Sequence, residues 1–422
     1  MYFKETLKNG LRTLIIPQEG TETVTVLVLV GTGSKYETKN ISGISHFLEH
    51  MFFKGTKNRK TPVELIEILD GIGGVYNAFT GDEYTGFWSK VEKDYFDTAL
   101  NWMADIYLNP TFPKAEMERE RGVILEEFNM YLDNPMMYIP EIWKKLLYGD
   151  QPAGWDTIGN KKTIKSITRD QLKNYFDSQY VASNTLICVS GNINKEEALE
   201  KIKSAFKNSK TGISKKKEKV KEQQDKPEML MSYKETGQTQ IAIGFRGYDI
   251  FHKDRFVLEV MAAILGGNMS SRIFSEVREK RGLGYYVETY YESDADTGTL
   301  STYGGLESKK IYEAIEVILN EYKKIREIKV PEKELNKAKN FLKGKLAISL
   351  ESTNARANFY AKQEILKGEI TDLKKIFKEI EKVSPEDIKR VAGEVMRPEG
   401  LNLALIGPFK EKAKFEKELL KF

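Results

Sequence analysis

One pattern is used twice along this chain. Pro331-Glu332-Lys333-Glu334 stands 218 residues after Pro113-Lys114-Ala115-Glu116, and Ser384-Pro385-Glu386-Asp387-Ile388 stands 216 after Thr168-Arg169-Asp170-Gln171-Leu172. Thr239–Phe245 parallels the β-branched run Val24–Val30, and Leu401–Gly407 repeats the strand pattern that ends at Gly191. Four matches in one order and at nearly one offset mean an internal duplication of about 200 residues. Whatever that unit folds into, the chain must hold two of them, and 422 residues suffice for both. Between the copies lie Lys215-Lys216-Lys217-Glu218-Lys219 and Glu222-Gln223-Gln224-Asp225-Lys226-Pro227. So charged and apolar-poor a stretch reads as a solvated linker over 209–228, dividing a first domain at 1–208 from a second at 229–422.

Within the first copy, Asn9-Gly10 between Tyr2–Leu7 and Leu11–Ile16 predicts a hairpin. Val24–Val30 carries no charge and predicts a central strand buried on both faces, while Val75–Thr85 reads as a strand at a sheet edge. The chain has three histidines, and His46 and His50 stand four apart within Ser42–Thr56. On a helix this spacing sets both imidazoles on one side, with Glu49 beside them. Ile44, Leu48, Met51 and Phe52 form a separate apolar stripe for the core, so His46, Glu49, His50 and Phe53 look away from it. Ser42 reads as the N-cap and Gly55 as the stop. Two neutral imidazoles can take a metal, and a carboxylate next to them can take a proton from its water.

Glu116–Leu132 predicts a long helix on which Glu120, Val123, Ile124, Glu127, Met130 and Tyr131 share an inward stripe. A carboxylate on such a stripe is costly without a partner, and a metal would supply one. Glu127 is therefore the ligand candidate, and Glu126 its solvated neighbour. The second copy carries Lys345 where the first has Glu127, and the apolar run Val260–Leu265 where the first has its histidines. One metal per chain is the expectation, with His252 a bystander in a loop.

Lys and Arg number 66 against 62 Asp and Glu, a net charge of +4 that argues for neither nucleic acid nor membrane as a partner. A single cysteine, Cys188, rules out an intrachain disulfide and suits a reducing compartment. With no apolar leader at the N-terminus and no run of transmembrane length, the chain is read as cytoplasmic.

His46-Phe47-Leu48-Glu49-His50-Met51 with Phe53-Lys54-Gly55-Thr56 resembles the pitrilysin superfamily of inverted-zinc (HxxEH) metallopeptidases. The likeness covers nearly the whole chain and is strongest to the bacterial subfamily that is like the mitochondrial processing peptidase. It implies an α+β fold of two duplicated modules, each a largely antiparallel sheet with helices packed on one face. It implies a zinc endopeptidase in which His46, His50 and Glu127 hold one Zn2+, Glu49 is the catalytic acid–base, and Glu120 stands behind the ligands. Asn77-Ala78-Phe79-Thr80, with Glu83-x-Thr85, match the strand to which substrates add in this family. There the aromatic pair following the threonine is shifted here to Phe87-Trp88 behind Gly86. Gly266-Gly267-Asn268 has asparagine where a third glycine is usual, a residue that tolerates a left-handed backbone. Arg278 and Tyr285 match a pair that holds the substrate and its oxyanion. The resemblance also implies a homodimer enclosing a chamber for extended or unfolded peptides, or a heterodimer with a non-catalytic homologue. Its alternative function is that of a non-catalytic scaffold or presequence-binding subunit.

Overall fold

The computed structural model of the chain describes residues 2–422. They gather into two compact units. The first runs up to Asn129 and adds Trp155–Glu218 and Ala347–Ile370; the second holds Met130–Gly154, Lys219–Leu346 and Thr371–Phe422. The stretch 209–227 has no regular secondary structure, and the chain passes from one unit to the other inside it, at Glu218 and Lys219. A single cut there would leave Met130–Gly154 and Ala347–Ile370 apart from the units they fold with.

Both units follow one sheet plan. In the first, β1 (Phe3–Thr6), β2 (Arg12–Pro17), β3 (Thr23–Val30), β4 (Val75–Thr80), β5 (Thr85–Glu92) and β6 (Thr185–Gly191) lie in the order β1-β2-β6-β3-β5-β4. In the second, β7 (Glu228–Tyr233), β8 (Gln238–Gly247), β9 (Gly284–Ser293), β10 (Gly298–Glu307) and β11 (Asn402–Gly407) lie in the order β7-β11-β8-β10-β9. Without β1 the two orders coincide strand for strand. The directions coincide as well: β2 with β6 and β7 with β11 are parallel, and the other pairs are antiparallel. The duplication in the sequence is thus a duplication of topology.

Five helices lead from the first strands into the second unit: α1 (Ile44–Met51), α2 (Pro62–Asp70), α3 (Phe96–Leu108), α4 (Lys114–Asp133) and α5 (Pro135–Tyr148). β3 lies inside its sheet and is buried on both faces, as its uncharged run requires. One face meets α3. On the other, Leu27 and Leu29 join Leu14, Ile16, Leu186 and Cys188 under Ala357 and Ala361 of the helix Thr353–Lys367. The corresponding face of the second sheet, with Ala242, Ala404 and Ile406, is covered by Ile142 and Trp143 of α5. Thr353 stands 218 residues after Pro135, so these are equivalent helices of the two repeats. Each repeat lends this helix to the other repeat's sheet. Every fully buried Leu or Ile in such a layer contributes about 1.5–3 kcal/mol, which makes the exchange a substantial part of each unit's core. Among the described residues no helix is long and apolar enough to cross a membrane.

Candidate metal centre

α1 starts at Gly43, which has φ +92° and packs so closely on the Gly159 turn that a Cβ would lie 2.5 Å from the Ile158 carbonyl oxygen. Ser42 does not cap the helix, contrary to the sequence expectation. Glu37 does so from outside, accepting from the Gly43 N–H at 2.6 Å and the Ser45 N–H at 2.8 Å. An acid in that place satisfies amides that the helix cannot and faces the positive end of its dipole. Ser45 Oγ in turn lies 2.9 Å from the Tyr175 hydroxyl, which meets Thr32 Oγ1 at 2.8 Å. A buried polar network therefore pins the start of the histidine helix.

Burial pushes Glu37 up from its ordinary 4.5 to about 8, against the two backbone bonds that pull it down. A carboxyl raised on folding contributes stability that is complete below 4.5 and lost as pH rises through 8. Glu37→Gln removes that contribution. Thermal midpoints measured across this range should fall with pH more steeply in the wild type than in the variant; parallel curves would contradict the assignment.

The apolar side of α1 packs as its periodicity requires, with Ile44, Leu48, Met51 and Phe52 fully buried. His46, Glu49, His50 and Phe53 are half-buried on the other side. α4 sends Met117, Ile124 and Phe128 into the core together with Glu120, while Glu127 is half-buried and Glu126 exposed. Val123 and Met130, expected to face inward, are exposed instead.

His46, His50 and Glu127 each bring one ligand atom to within 4.8 Å of the others. Nε2 of His46 lies 3.6 Å, and Nε2 of His50 3.4 Å, from the same Glu127 oxygen. On the far side of the ring, His50 Nδ1 meets Glu120 Oε2 at 3.0 Å, which fixes the nitrogen that turns toward the cluster. Lys54 holds the other Glu120 oxygen at 2.7 Å. Burial pushes Glu127 up, but His46 and His50 hold it at about 2. Burial pushes His50 down, yet its bonds to Glu120 and Glu127 raise it to about 9, so a cation bound here displaces a proton. Two imidazole nitrogens and one carboxylate oxygen are a donor set that zinc takes with a fourth position open. The residues present fit that ion.

Glu49 reaches toward the sheet edge, where the Thr80 hydroxyl donates to its carboxylate. β4 pairs with β5 alone among the described residues, leaving its outer edge free. Asn77 is exposed, and its side-chain oxygen accepts from the Ala78 N–H at 2.8 Å. Phe79 lies across Gly86, where a Cβ would come within 2.2 Å of its ring. The glycine ahead of Phe87-Trp88 is thus demanded by its cross-strand neighbour. The sequence offered Thr80 only as part of a peptide-binding strand; its hold on Glu49 is a contact that no spacing rule shows.

Arg278 and Tyr285 belong to the second unit. Arg278 sits in the π-helical turn Ser275–Glu279, donates to the Tyr285 carbonyl at 2.8 Å and lies 4.9 Å from the Tyr285 ring. The Tyr285 side chain is exposed. Asn268 has no left-handed backbone, so the tolerance expected of it is not used; its side chain accepts from the Ser270 N–H at 3.0 Å. Val260–Leu265 lies in the buried helix Arg255–Gly266, and His252 stacks on Tyr248 with ring centroids 3.6 Å apart.

Comparison with known proteins bears on this geometry. Residues 12–160 match the profile of Insulinase (Peptidase family M16), and residues 166–342 match the Peptidase M16 inactive domain. A Bacillus subtilis protein named uncharacterized zinc protease YmxG is 36% identical, over 97% of this chain and 98% of its own. An uncharacterized zinc protease of Rickettsia felis is 32% identical, over 95% and 96%. Among solved structures, a protease from Helicobacter pylori superposes with a TM-score of 0.90 at 26% identity, over 97% of this chain and 99% of that one. The peptidase M16 inactive domain from Pseudomonas fluorescens shares the fold, with a TM-score of 0.88 at 20% identity, over 97% and 98%.

Proposed function

The chain belongs to the insulinase family of peptidases, M16, and on that premise we propose that it is a zinc-dependent endopeptidase that cleaves extended or unfolded peptides. The observation that carries this reading is the convergence of His46, His50 and Glu127 within 4.8 Å, with Glu49 held beside them by Thr80. His46, His50 and Glu127 would hold one zinc ion per chain. When bound, zinc supplies a Lewis acid that acidifies water and polarises the peptide carbonyl. Glu49 takes the proton of the attacking water on its carboxylate and passes it to the leaving amine. Thr80 keeps that carboxylate oriented, and Glu120 keeps the His50 ring turned to the cluster. The free edge of β4, from Asn77 to Thr80, binds the substrate backbone by strand addition, which reads an extended shape more than a sequence.

We further propose that the working form is a homodimer enclosing a chamber, in which Arg278 and Tyr285 of each chain complete the partner's site. The exposure of Tyr285, with Arg278 ordered against its ring, supports a role for that hydroxyl outside its own unit. A two-fold dimer makes the arrangement reciprocal. The test is to mix Glu49→Gln and Tyr285→Phe proteins, let subunits exchange, and follow cleavage of an unstructured peptide. One site of a mixed dimer then carries both lesions and the other neither, so activity should return to about half the wild-type level per mixed dimer. Flat activity after exchange confirmed by native mass spectrometry would refute the shared site. A wild type that is inert toward the peptide would sink the peptidase reading and favour the scaffold alternative.

A further inference from the structure

A cavity of about 450 Å³ opens in the first unit behind the C-terminal end of α1. That volume is typical of small-molecule sites. Its inner wall is aromatic. Phe112 and Phe176 meet edge to face at 5.5 Å, and Tyr180 packs on Phe176 at 5.2 Å. Its rim is cationic, with Lys57, Arg169, Lys173 and Lys210 set against one acid, Asp177. Asp177 already serves two of the lysines, at 3.1 Å each. The Arg169 guanidinium is fixed by the carbonyl oxygens of Phe112 and Thr111, at 2.7 and 2.9 Å, which position its charge without cancelling it. Lys57 is exposed and has no carboxylate partner among the described residues.

The wall also stores strain. Phe112 has φ +46°, the only positive value at a non-glycine residue among those described. A bulky residue held in that region costs about 1–3 kcal/mol and is retained where a site requires the shape. Here it sets the Phe112 ring behind Phe176, against that ring and Phe52. Phe112 and Tyr180 are themselves buried and back the wall, so its open apolar surface is Phe176 with Leu108 and Pro110. That surface inside and the excess positive charge at the mouth define the complementary ligand. It has a flat apolar part and one anionic group.

We infer that this cavity binds a small anion bearing a planar ring, a phosphate or carboxylate joined to an aromatic or heteroaromatic group. The site is separate from the metal centre, and the inference does not rest on peptidase activity. The wall nevertheless touches the histidine helix. Phe52, the residue after α1, packs on Phe176 and Tyr180 at 5.8 and 5.3 Å, and the Gly55 carbonyl accepts from Thr111 N–H and Oγ1.

The test is calorimetric titration of the full chain with adenosine monophosphate and 1-naphthoate as whole ligands, and with their halves, adenosine and inorganic phosphate for the first and 1-naphthalenemethanol and acetate for the second. At least one whole ligand should bind saturably, one per chain, with a Kd of about 1 mM or tighter, and both of its halves at least about tenfold more weakly. Lys57→Glu/Lys173→Glu reverses two exposed charges at the rim and should weaken binding about tenfold or more; single Lys57→Glu serves if the pair does not fold. Lys374→Glu/Lys378→Glu, the same charge change on a solvent-facing helix, should leave it unaltered. The inference is overturned if neither whole ligand binds, if a half binds as well as the whole, or if the rim and control variants behave alike.

Discussion

Glu49→Gln should leave a folded, zinc-loaded protein that hydrolyses peptides about 10²–10⁴-fold more slowly. The substitution keeps the side chain's size and an oxygen that can accept from the Thr80 hydroxyl, so the local geometry of α1 and β4 is retained. What it removes is the group that carries a proton from water to the leaving amine. Glu49 is also not one of the three residues whose ligand atoms converge, so metal content should be unchanged. Kinetics with an unstructured peptide, paired with metal analysis of the same sample, separate the two roles. Near-normal hydrolysis by a zinc-loaded Glu49→Gln protein would remove it from the mechanism, and loss of zinc would make it a ligand.

The second large effect is on metal retention. His50→Ala removes one imidazole and frees Glu120 from its ring contact, while Glu127→Ala removes the oxygen that faces both Nε2 atoms. Either protein should fall from about one zinc per chain to near none, with hydrolysis lost in proportion, since two remaining ligands do not make a zinc site. Glu126→Gln, one residue away on the exposed side of α4, should keep both zinc and activity. Full zinc retention in both ligand variants would sink the assignment. A strong effect of Glu126→Gln would reassign the face of α4 that meets the metal.

Part of this site was legible because helix periodicity limits which residues can share a face, although Val123 and Met130 of the α4 stripe are exposed. The four-residue spacing of His46 and His50, set against the stripe Ile44-Leu48-Met51-Phe52, left one orientation for α1. The same reasoning separated Glu127 from Glu126. What escaped the sequence depends on groups brought together by turns and by tertiary packing. The Glu37 cap reaches α1 across the 3-10 turn Lys39–Ile41, whereas sequence spacing points only to Ser42, the local candidate. The exchange of α5 and Thr353–Lys367 was hidden because equivalent helices carry equivalent patterns whichever sheet they cover. Lys217 read as part of a solvated charge run. Its ammonium instead lies 3.2 Å from the buried Glu83 carboxylate, which Lys35 meets at 3.6 Å, so one side chain of the linker returns to the first unit. Composition describes a segment's average and not the residue that departs from it. Phe112, whose strained backbone lies in the wall of the aromatic cavity, gave no sign in sequence beyond its place between Thr111 and Pro113.

The central claim is that peptide hydrolysis here depends on one zinc ion held by His46, His50 and Glu127. Stripping the wild-type protein with a chelator and returning zinc in steps, while following cleavage of an unstructured peptide, tests it most directly. Activity should vanish on stripping, return in proportion to the zinc added, and level off at about one ion per chain. Cleavage that persists in the chelator, or zinc taken up to one equivalent with no return of cleavage, would contradict it.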